Sequence, residues 1–292
     1  MNQTIGAALR QAIHCLERHG VSEPHAAAEV LLSDLLGMTR PRLYLDAACL
    51  LSPDQQAAYV KRLQRRLRGE PVQYITQKQE FWSLEFVLNA HVLIPRPESE
   101  VLVEQGVRLA QAWYATHPHA RLAILDVGTG SGNLAISLAH TLPQAQVWAV
   151  DRAYEALQLA RQNAQRLGVA ERLHLVCSDL LTAFQDSKRG FALCVANLPY
   201  VTTTEWHSLP REIKDYEPPG ALCGGQDGLE FIRRLTATSP EVLNPGGTLL
   251  LEVGWQQALA VQETLRQQGH FRATGIYHDL AGIARVVWAQ VL

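Results

Sequence analysis

The stretch Leu122-Ala123-Ile124-Leu125-Asp126-Val127-Gly128-Thr129-Gly130-Ser131-Gly132-Asn133 decides how this chain folds. An apolar run enters three alternate glycines, and Leu134-Ala135-Ile136-Ser137-Leu138-Ala139 then continues with helical character. Glycine lets backbone approach a ligand closely, and the amino end of the following helix offers N–H groups that no turn of the helix has used. Many nucleotide-like ligands suit such a turn. Gly130-Ser131-Gly132-Asn133-Leu134-Ala135 even satisfies the dinucleotide fingerprint with a terminal Ala, so a dehydrogenase and a methyltransferase both remain open here. Asp126 is expected to organise the glycine loop rather than to touch the ligand.

From residue 121 onward strands and helices alternate, the pattern of a parallel sheet covered on both faces. The strand Gln146-Val147-Trp148-Ala149-Val150 ends at Asp151, about twenty residues beyond the glycines, where a carboxylate can accept both ribose hydroxyls. A structural alternative has Asp151 capping the helix Tyr154 to Leu167. Leu173-His174-Leu175-Val176-Cys177-Ser178 ends at Asp179, which can accept from an adenine amine while Leu180 packs on the ring. Further on come a helix around Leu229 to Leu243, the turn Asn244-Pro245-Gly246-Gly247, a strand Thr248 to Val253, a helix Gln256 to Gln268, and strands Phe271 to Tyr277 and Arg285 to Val291. This makes seven strands. Ligands of such sheets bind beyond the carboxyl ends of the strands, where Gly128 to Gly132, Asp151, Asp179 and Asn197 all fall.

The chemistry is read from Asn197-Leu198-Pro199-Tyr200, which follows the apolar run Phe191 to Ala196. An amide or aromatic amine nitrogen is a poor nucleophile because its lone pair is delocalised. An Asn oxygen and the next backbone carbonyl can each accept one N–H and turn the lone pair toward an activated methyl. Each bond is worth about 0.5–1.5 kcal/mol net, so most of the acceleration comes from orientation, roughly 7–11 kcal/mol. Pro199 restricts the backbone, and the Tyr200 ring can stack on a flat substrate. Methyl transfer onto nitrogen is the expected reaction.

Before residue 80 the periodicity is helical. Ile5, Leu9, Ile13 and Leu16 share a face that ends at Gly20, Ala26 to Leu36 runs up to Gly37, and Pro53 opens a helix ending near Gly69. Lys61, Arg62, Arg65, Arg66 and Arg68 read first as a solvated face of that last helix and second as a partner contact. Glu80 to Leu88, turning at Asn89-Ala90 into His91-Val92-Leu93-Ile94, reads as a hairpin between two domains. Pro95-Arg96-Pro97-Glu98-Ser99-Glu100 then stiffens the backbone before a helix from Val101 to Trp113, either as a hinge or as a wall of the active site.

Composition narrows the function classes. A chain of 292 residues with 47% hydrophobic and 18% charged residues suits one large or two ordinary domains. A net charge of −2 argues against bulk electrostatic retention on nucleic acid. Met1-Asn2-Gln3-Thr4 lacks the basic start of a signal peptide, and no run approaches the roughly 20 apolar residues of a membrane span. Five cysteines without a CxxC pair fit reduced, mostly buried thiols in a cytoplasm. Eleven histidines show no metal-ligand spacing. His117-Pro118-His119 reads as a solvated loop, and no metal is expected.

The segments Gly69-Glu70-Pro71-Val72-Gln73-Tyr74-Ile75, Glu80-Phe81-Trp82, Leu93-Ile94-Pro95-Arg96-Pro97-Glu98, Tyr216-Glu217-Pro218, Gly224-Gly225-Gln226-Asp227-Gly228-Leu229, Leu251-Glu252-Val253-Gly254 and Asp279-Leu280-Ala281-Gly282 accompany the glycine loop. Together they closely resemble the bacterial and organellar release-factor glutamine methyltransferases, from about residue 5 to the end. The resemblance implies an α/β fold: a Rossmann-like, seven-stranded class I methyltransferase domain over 98–292, a small N-terminal helical bundle over 1–78 that helps hold the substrate, and a β-hairpin over 79–97 joining them. It implies S-adenosyl-L-methionine as donor, S-adenosyl-L-homocysteine as product, and the Gln of the Gly-Gly-Gln tripeptide of class 1 peptide chain release factors as acceptor. By motif position, Gly128, Thr129, Gly130, Ser131, Gly132, Asp151, Asp179, Leu180 and Asn197 would hold the cofactor. Asn197, Leu198, Pro199 and Tyr200 would hold the glutamine, with Asn197, Pro199 and Tyr200 carrying catalysis. A monomer in the cytoplasm, with no direct nucleic-acid or membrane partner, is expected.

Two departures accompany the resemblance. The family usually has Pro where Leu198 stands, whereas Asn-Leu-Pro-Tyr is familiar in ribosomal RNA adenine dimethyltransferases; a backbone carbonyl is supplied by either residue. Ile283-Ala284 replaces a more polar pair. The alternatives are an RNA adenine amino-methyltransferase, which would call for a more basic surface, and a non-catalytic cofactor-binding translation factor.

Overall fold

A computed structural model describes residues 3–117, 121–184 and 190–292. Met1, Asn2 and the Pro118-His119 part of the expected solvated loop lie outside the described residues. The chain divides into two compact units, one made of the chain up to Lys78 together with Pro210–Tyr216, the other of Gln79–Leu209 and Glu217–Leu292.

The first unit is helical. Helices Ile5–Arg18, Pro24–Leu36, Arg40–Leu45, Pro53–Leu67 and Val72–Thr76 enclose a core of Ile5, Leu9, Leu16, Leu31, Leu32, Leu43 and Tyr59. The helix starts follow capping chemistry. The Thr4 hydroxyl accepts from Ala7 N, and Ser52 and Gln55 form a reciprocal capping box just before Pro53. The basic run is the expected solvated face at Lys61, Arg65 and Arg68, which are exposed, but not at Arg62 and Arg66. Arg62 pairs with Asp34 at 2.8 Å, Arg65 with Glu70 at 2.6 Å, and Arg66, only 6% exposed at its side chain, with Glu212 at 2.8 Å. The cause is acidic partners supplied by other segments, which a single-helix reading does not contain.

The second unit contains the strands. A hairpin of β1 (Lys78–Phe81) and β2 (Leu84–Val87) is followed by β3 (Ala123–Val127), β4 (Gln146–Asp151), β5 (Leu173–Cys177), β6 (Phe191–Ala196), β7 (Leu243–Glu252), β8 (Phe271–His278) and β9 (Ala284–Val291). The hairpin turns at Trp82-Ser83, not at the expected Asn89-Ala90, and 91–94 is not a strand. Trp82 and Ser83 both take positive φ, 53° and 57°, as a two-residue turn matched to strand twist requires. Neither residue type announces such a turn. Phe81 and Phe86 are buried in the sheet core, edge to face at 6.3 Å.

Strands β3 to β9 form a seven-stranded sheet in the order β5-β4-β3-β6-β7-β9-β8. The first five strands are parallel, and β9 runs antiparallel to both β7 and β8. Both faces are covered, so neighbouring residues of one strand feed opposite layers: Ile124 joins one core and Leu125 the other. The order reverses between β3 and β6, because β4 and β5 build outward on one side and β6 and β7 on the other. Loops leaving those two strands therefore diverge around a crevice, the usual ligand position.

All five cysteines are free, but only Cys194 is buried; Cys49 and Cys177 are exposed. Mostly buried thiols are thus not what the fold provides. No helix among the described residues is long and apolar enough to cross a membrane. The Ile283 departure is absorbed by backbone: Asp279 accepts from Ala281 N and Ile283 N and pairs with Arg285.

Candidate active site

Register brings the site together. Val127 of β3 pairs with Val150 of β4 and with Ala196 of β6, and Ala196 pairs in turn with Leu251 of β7. The residues that follow, Gly128, Asp151, Asn197 and Glu252, accordingly emerge side by side at the carboxyl edge.

A cavity of about 210 Å³ opens there. Gly128, Thr129, Gly130, Ser131, Asp151, Asp179, Leu180, Asn197, Leu198 and Pro199 line it, whereas Gly132 and Tyr200 do not. The loop after β3 is held from several sides. Gly128 N and Thr129 N donate to Val150 O, Gly130 N to Asp151 Oδ2, and Gly132 N to Thr129 O. Asp126, fully buried beneath the loop, accepts the Thr129 hydroxyl at 2.7 Å and Ala135 N at 3.2 Å on Oδ2. Burial pushes its carboxyl up to about 7, with the hydrogen bonds from Thr129 and Ala135 opposing and Asp151 adding to the rise. Asn163, also fully buried, donates to Ser131 O and Val87 O and accepts from Val87 N. One amide thus ties the glycine loop to β2.

Asp151 contacts backbone on both oxygens, since Oδ1 accepts from Ala153 N at 2.9 Å. It serves the start of helix Tyr154–Arg166 as well as the loop. Each oxygen keeps a further acceptor site for a ligand hydroxyl. Asp179 pairs with Arg234. Arg234 and Arg152 both stand over the Phe231 ring, at 5.9 and 5.4 Å, and Phe231 and Arg152 line the cavity.

The tetrapeptide is braced from behind. Leu198 is buried against the loop, where a Cβ on Gly128 (φ +80°) would stand 3.1 Å from Leu198 Cδ2. Asn197 Nδ2 donates to Ser99 Oγ at 3.0 Å, and the Tyr200 hydroxyl to Glu252 Oε1 at 3.3 Å. Burial pushes the Tyr200 phenol well above its usual value. Gln257 fixes Tyr200 O through Nε2 at 3.0 Å. On the opposite wall Glu217, 3% exposed, accepts Ile94 N and pairs with Arg96, so the double-Pro segment lines the cavity through Pro95, Arg96 and Ser99.

Residues 7–76 match the PrmC N-terminal domain family, and residues 124–220 match a methyltransferase domain family. The chain is 40% identical to the release factor glutamine methyltransferase of Koribacter versatilis, over 97% of each chain. It is 41% identical to that of Geobacter sulfurreducens, over 94% of this chain and 93% of the relative. The chain belongs to the release factor glutamine methyltransferase family. The family's class I methyltransferase fold is also seen in the hMettl16 catalytic domain, at a TM-score of 0.55, 15% identity and 82% coverage of each chain. That likeness is one of fold alone.

As a release factor glutamine methyltransferase family member the chain is an S-adenosylmethionine-dependent methyltransferase, and its cavity suits that cofactor. A Cβ on Gly130 (φ +54°) would meet no protein atom within 4 Å, so the loop leaves room at the cavity. The buried Ser131 Oγ has no hydrogen-bond partner among the described residues. Sequence reasoning did not single out Ser99, Arg152 or Phe231. Ser99 reads as a helix start, and a Phe inside an amphipathic helix reads as core; only the double-Pro segment signalled part of the missed wall.

Proposed function

We propose that this enzyme methylates the side-chain amide of the Gln in the Gly-Gly-Gln motif of class 1 peptide chain release factors. The observation carrying this reading is that Asn197, Leu198 and Pro199 line the same cavity as the glycine loop, one strand away. In this reading Gly128 to Ser131, Asp151, Asp179 and Leu180 hold S-adenosylmethionine, which supplies a sulfonium-activated methyl, and Gly132 shapes the turn through its N–H to Thr129 O.

Asn197 Oδ1 and the Leu198 carbonyl accept the two N–H groups of the substrate carboxamide. Neither receives a hydrogen bond from another described residue. The nitrogen lone pair is thereby aimed in line at the methyl. After transfer the nitrogen bears a proton that has become acidic and leaves to solvent, so no strong base is required. Tyr200, which does not line the cavity, supports the tetrapeptide from behind, its hydroxyl anchored at Glu252 and its carbonyl at Gln257. The helical unit over 1–78 contributes to holding the release factor, and the enzyme works in the cytoplasm as a monomer.

The test mixes purified enzyme, methyl-labelled S-adenosylmethionine and a class 1 release factor, with a release factor whose Gly-Gly-Gln glutamine is substituted as control. Label in the first and none in the second is expected. Equal label in both would remove the assignment of the acceptor.

A further inference from the structure

Arg96 stands in the cavity wall with most of its donors unused. Prolines on both sides restrict its backbone, which is extended at φ −100° and ψ 140°. Its Nη2 donates to Glu217 Oε1, and Glu217, 1% exposed at its side chain, takes Ile94 N on Oε2 at 3.2 Å. A guanidinium carries five N–H groups in a fixed fork, yet Nε and Nη1 have no acceptor among the described residues. The buried carboxylate thus fixes the guanidinium at one corner. The rest is free, on a side chain that is 31% exposed and lines the cavity.

The strand order says which part of the cofactor comes near it. With adenine at Asp179 after β5 and ribose at Asp151 after β4, the methyl still has to reach Asn197 after β6. Those strands follow one another as β5-β4-β3-β6, about 4.8 Å per step, so the sulfur comes to the β3–β6 end of the cavity. From the sulfur the amino-acid arm of S-adenosylmethionine extends to the molecule's only carboxylate. The wall at that end carries Ser99, which accepts Asn197 Nδ2 at 3.0 Å and gives its own N–H to Arg96 O at 3.1 Å. Arg152, the other arginine of the cavity, follows Asp151 at the nucleoside end and donates to Gly220 O at 3.0 Å.

We propose that Arg96 binds the carboxylate of the cofactor's amino-acid arm and that Glu217 orients the guanidinium for it. The inference rests on the placement of the nucleoside at Asp151 and Asp179 proposed above. Backbone N–H groups of a glycine loop are the common alternative for an anion, but here they are largely taken. Gly128 N and Thr129 N go to Val150 O, Gly130 N to Asp151 Oδ2 and Gly132 N to Thr129 O. A carboxylate entering the cavity therefore finds its free donors on Arg96. Glu217 keeps the arginine paired before the cofactor arrives, and Ile94 N shares the Glu217 charge, so the guanidinium still attracts a second anion.

Calorimetry with S-adenosylhomocysteine and with its decarboxylated analogue, which keeps the nucleoside, sulfur and amine, tests this without any turnover. The unchanged enzyme is expected to bind the first roughly ten- to a hundredfold more tightly, the effect of a hydrogen bond to a charged group. Arg96→Gln alone strands the buried Glu217 charge and can unfold the protein, so Arg96→Gln/Glu217→Gln is measured beside it. In the double variant the two affinities converge, because only the carboxylate-bearing ligand loses a partner. A preference that survives there overturns the proposal, as does an equal loss for both ligands or an unchanged enzyme that does not distinguish them. A variant that raises KM for a release factor and leaves S-adenosylhomocysteine affinity alone assigns Arg96 to the acceptor and overturns it too. Failure of the nucleoside placement reads separately: Asp151→Ala then weakens neither ligand.

Discussion

Asp151 Oδ2 lies 2.9 Å from Gly130 N, so the carboxylate expected to meet a ribose also holds the glycine loop in shape. The same side chain receives Ala153 N at 2.9 Å. Replacing Asp151 with Ala removes two charge-assisted bonds along with any ligand contact. Cofactor affinity should weaken about ten- to a hundredfold or more. Asp151→Asn, which retains one acceptor, should lose less. Calorimetry on both variants checks the order; an Ala variant that binds as tightly as the unchanged enzyme contradicts it.

Asn197→Ala leaves the hydrogen bonds of the glycine loop and Asp151 untouched and deletes the acceptor proposed for the substrate amide. Loss of a single preorganised polar group at a reacting centre typically costs about 10²–10³ in kcat. Labelled-methyl transfer should fall by that factor while cofactor affinity stays within a few fold. Near-normal turnover would falsify the role of Asn197.

Gly128→Ala meets two obstacles. Its φ of +80° is left-handed, costing a side-chain-bearing residue about 1–2 kcal/mol, and its Cβ would approach Leu198 Cδ2 to 3.1 Å. Urea denaturation should show a loss of about 2 kcal/mol or more. Pairing it with Leu198→Ala should not restore stability, because the backbone cost remains and a buried side chain is lost. Recovery in the double variant would mean that contact alone, not conformation, demands glycine.

Asp126 sets a pH dependence of stability. Its folded carboxyl titrates at about 7 against an ordinary 3.8. Between those values the folded state keeps a proton that the unfolded state has released, so stability is full below the lower value and declines as pH rises toward 7. Each pH unit in that window costs about a tenfold change in the folding equilibrium. Asp126→Asn mimics the protonated acid: its oxygen can still accept from Thr129 and Ala135. Thermal denaturation across pH 4–8 should therefore show a flatter profile in the variant, and an equally steep one would assign the slope to another group.

Local chemistry in the sequence determined the element types, the seven strands, the glycine loop and the placement of Asp151, Asp179 and Asn197 at strand ends. Those features depend on periodicity and on turn residues close together in the chain. Where local signals mislead, the hairpin shows why: Asn89-Ala90 has the turn chemistry, but Trp82-Ser83 makes the turn because β1 and β2 bury Phe81 and Phe86 in that register. The tertiary structure alone decided the rest. Only the strand order sets Asn197 beside both Gly128 and Glu252, and only packing brings Ser99 to Asn197, 98 residues away, or Asn163 to Val87, 76 away. A residue's type states what it can donate or accept; its partner is chosen by which strands become neighbours.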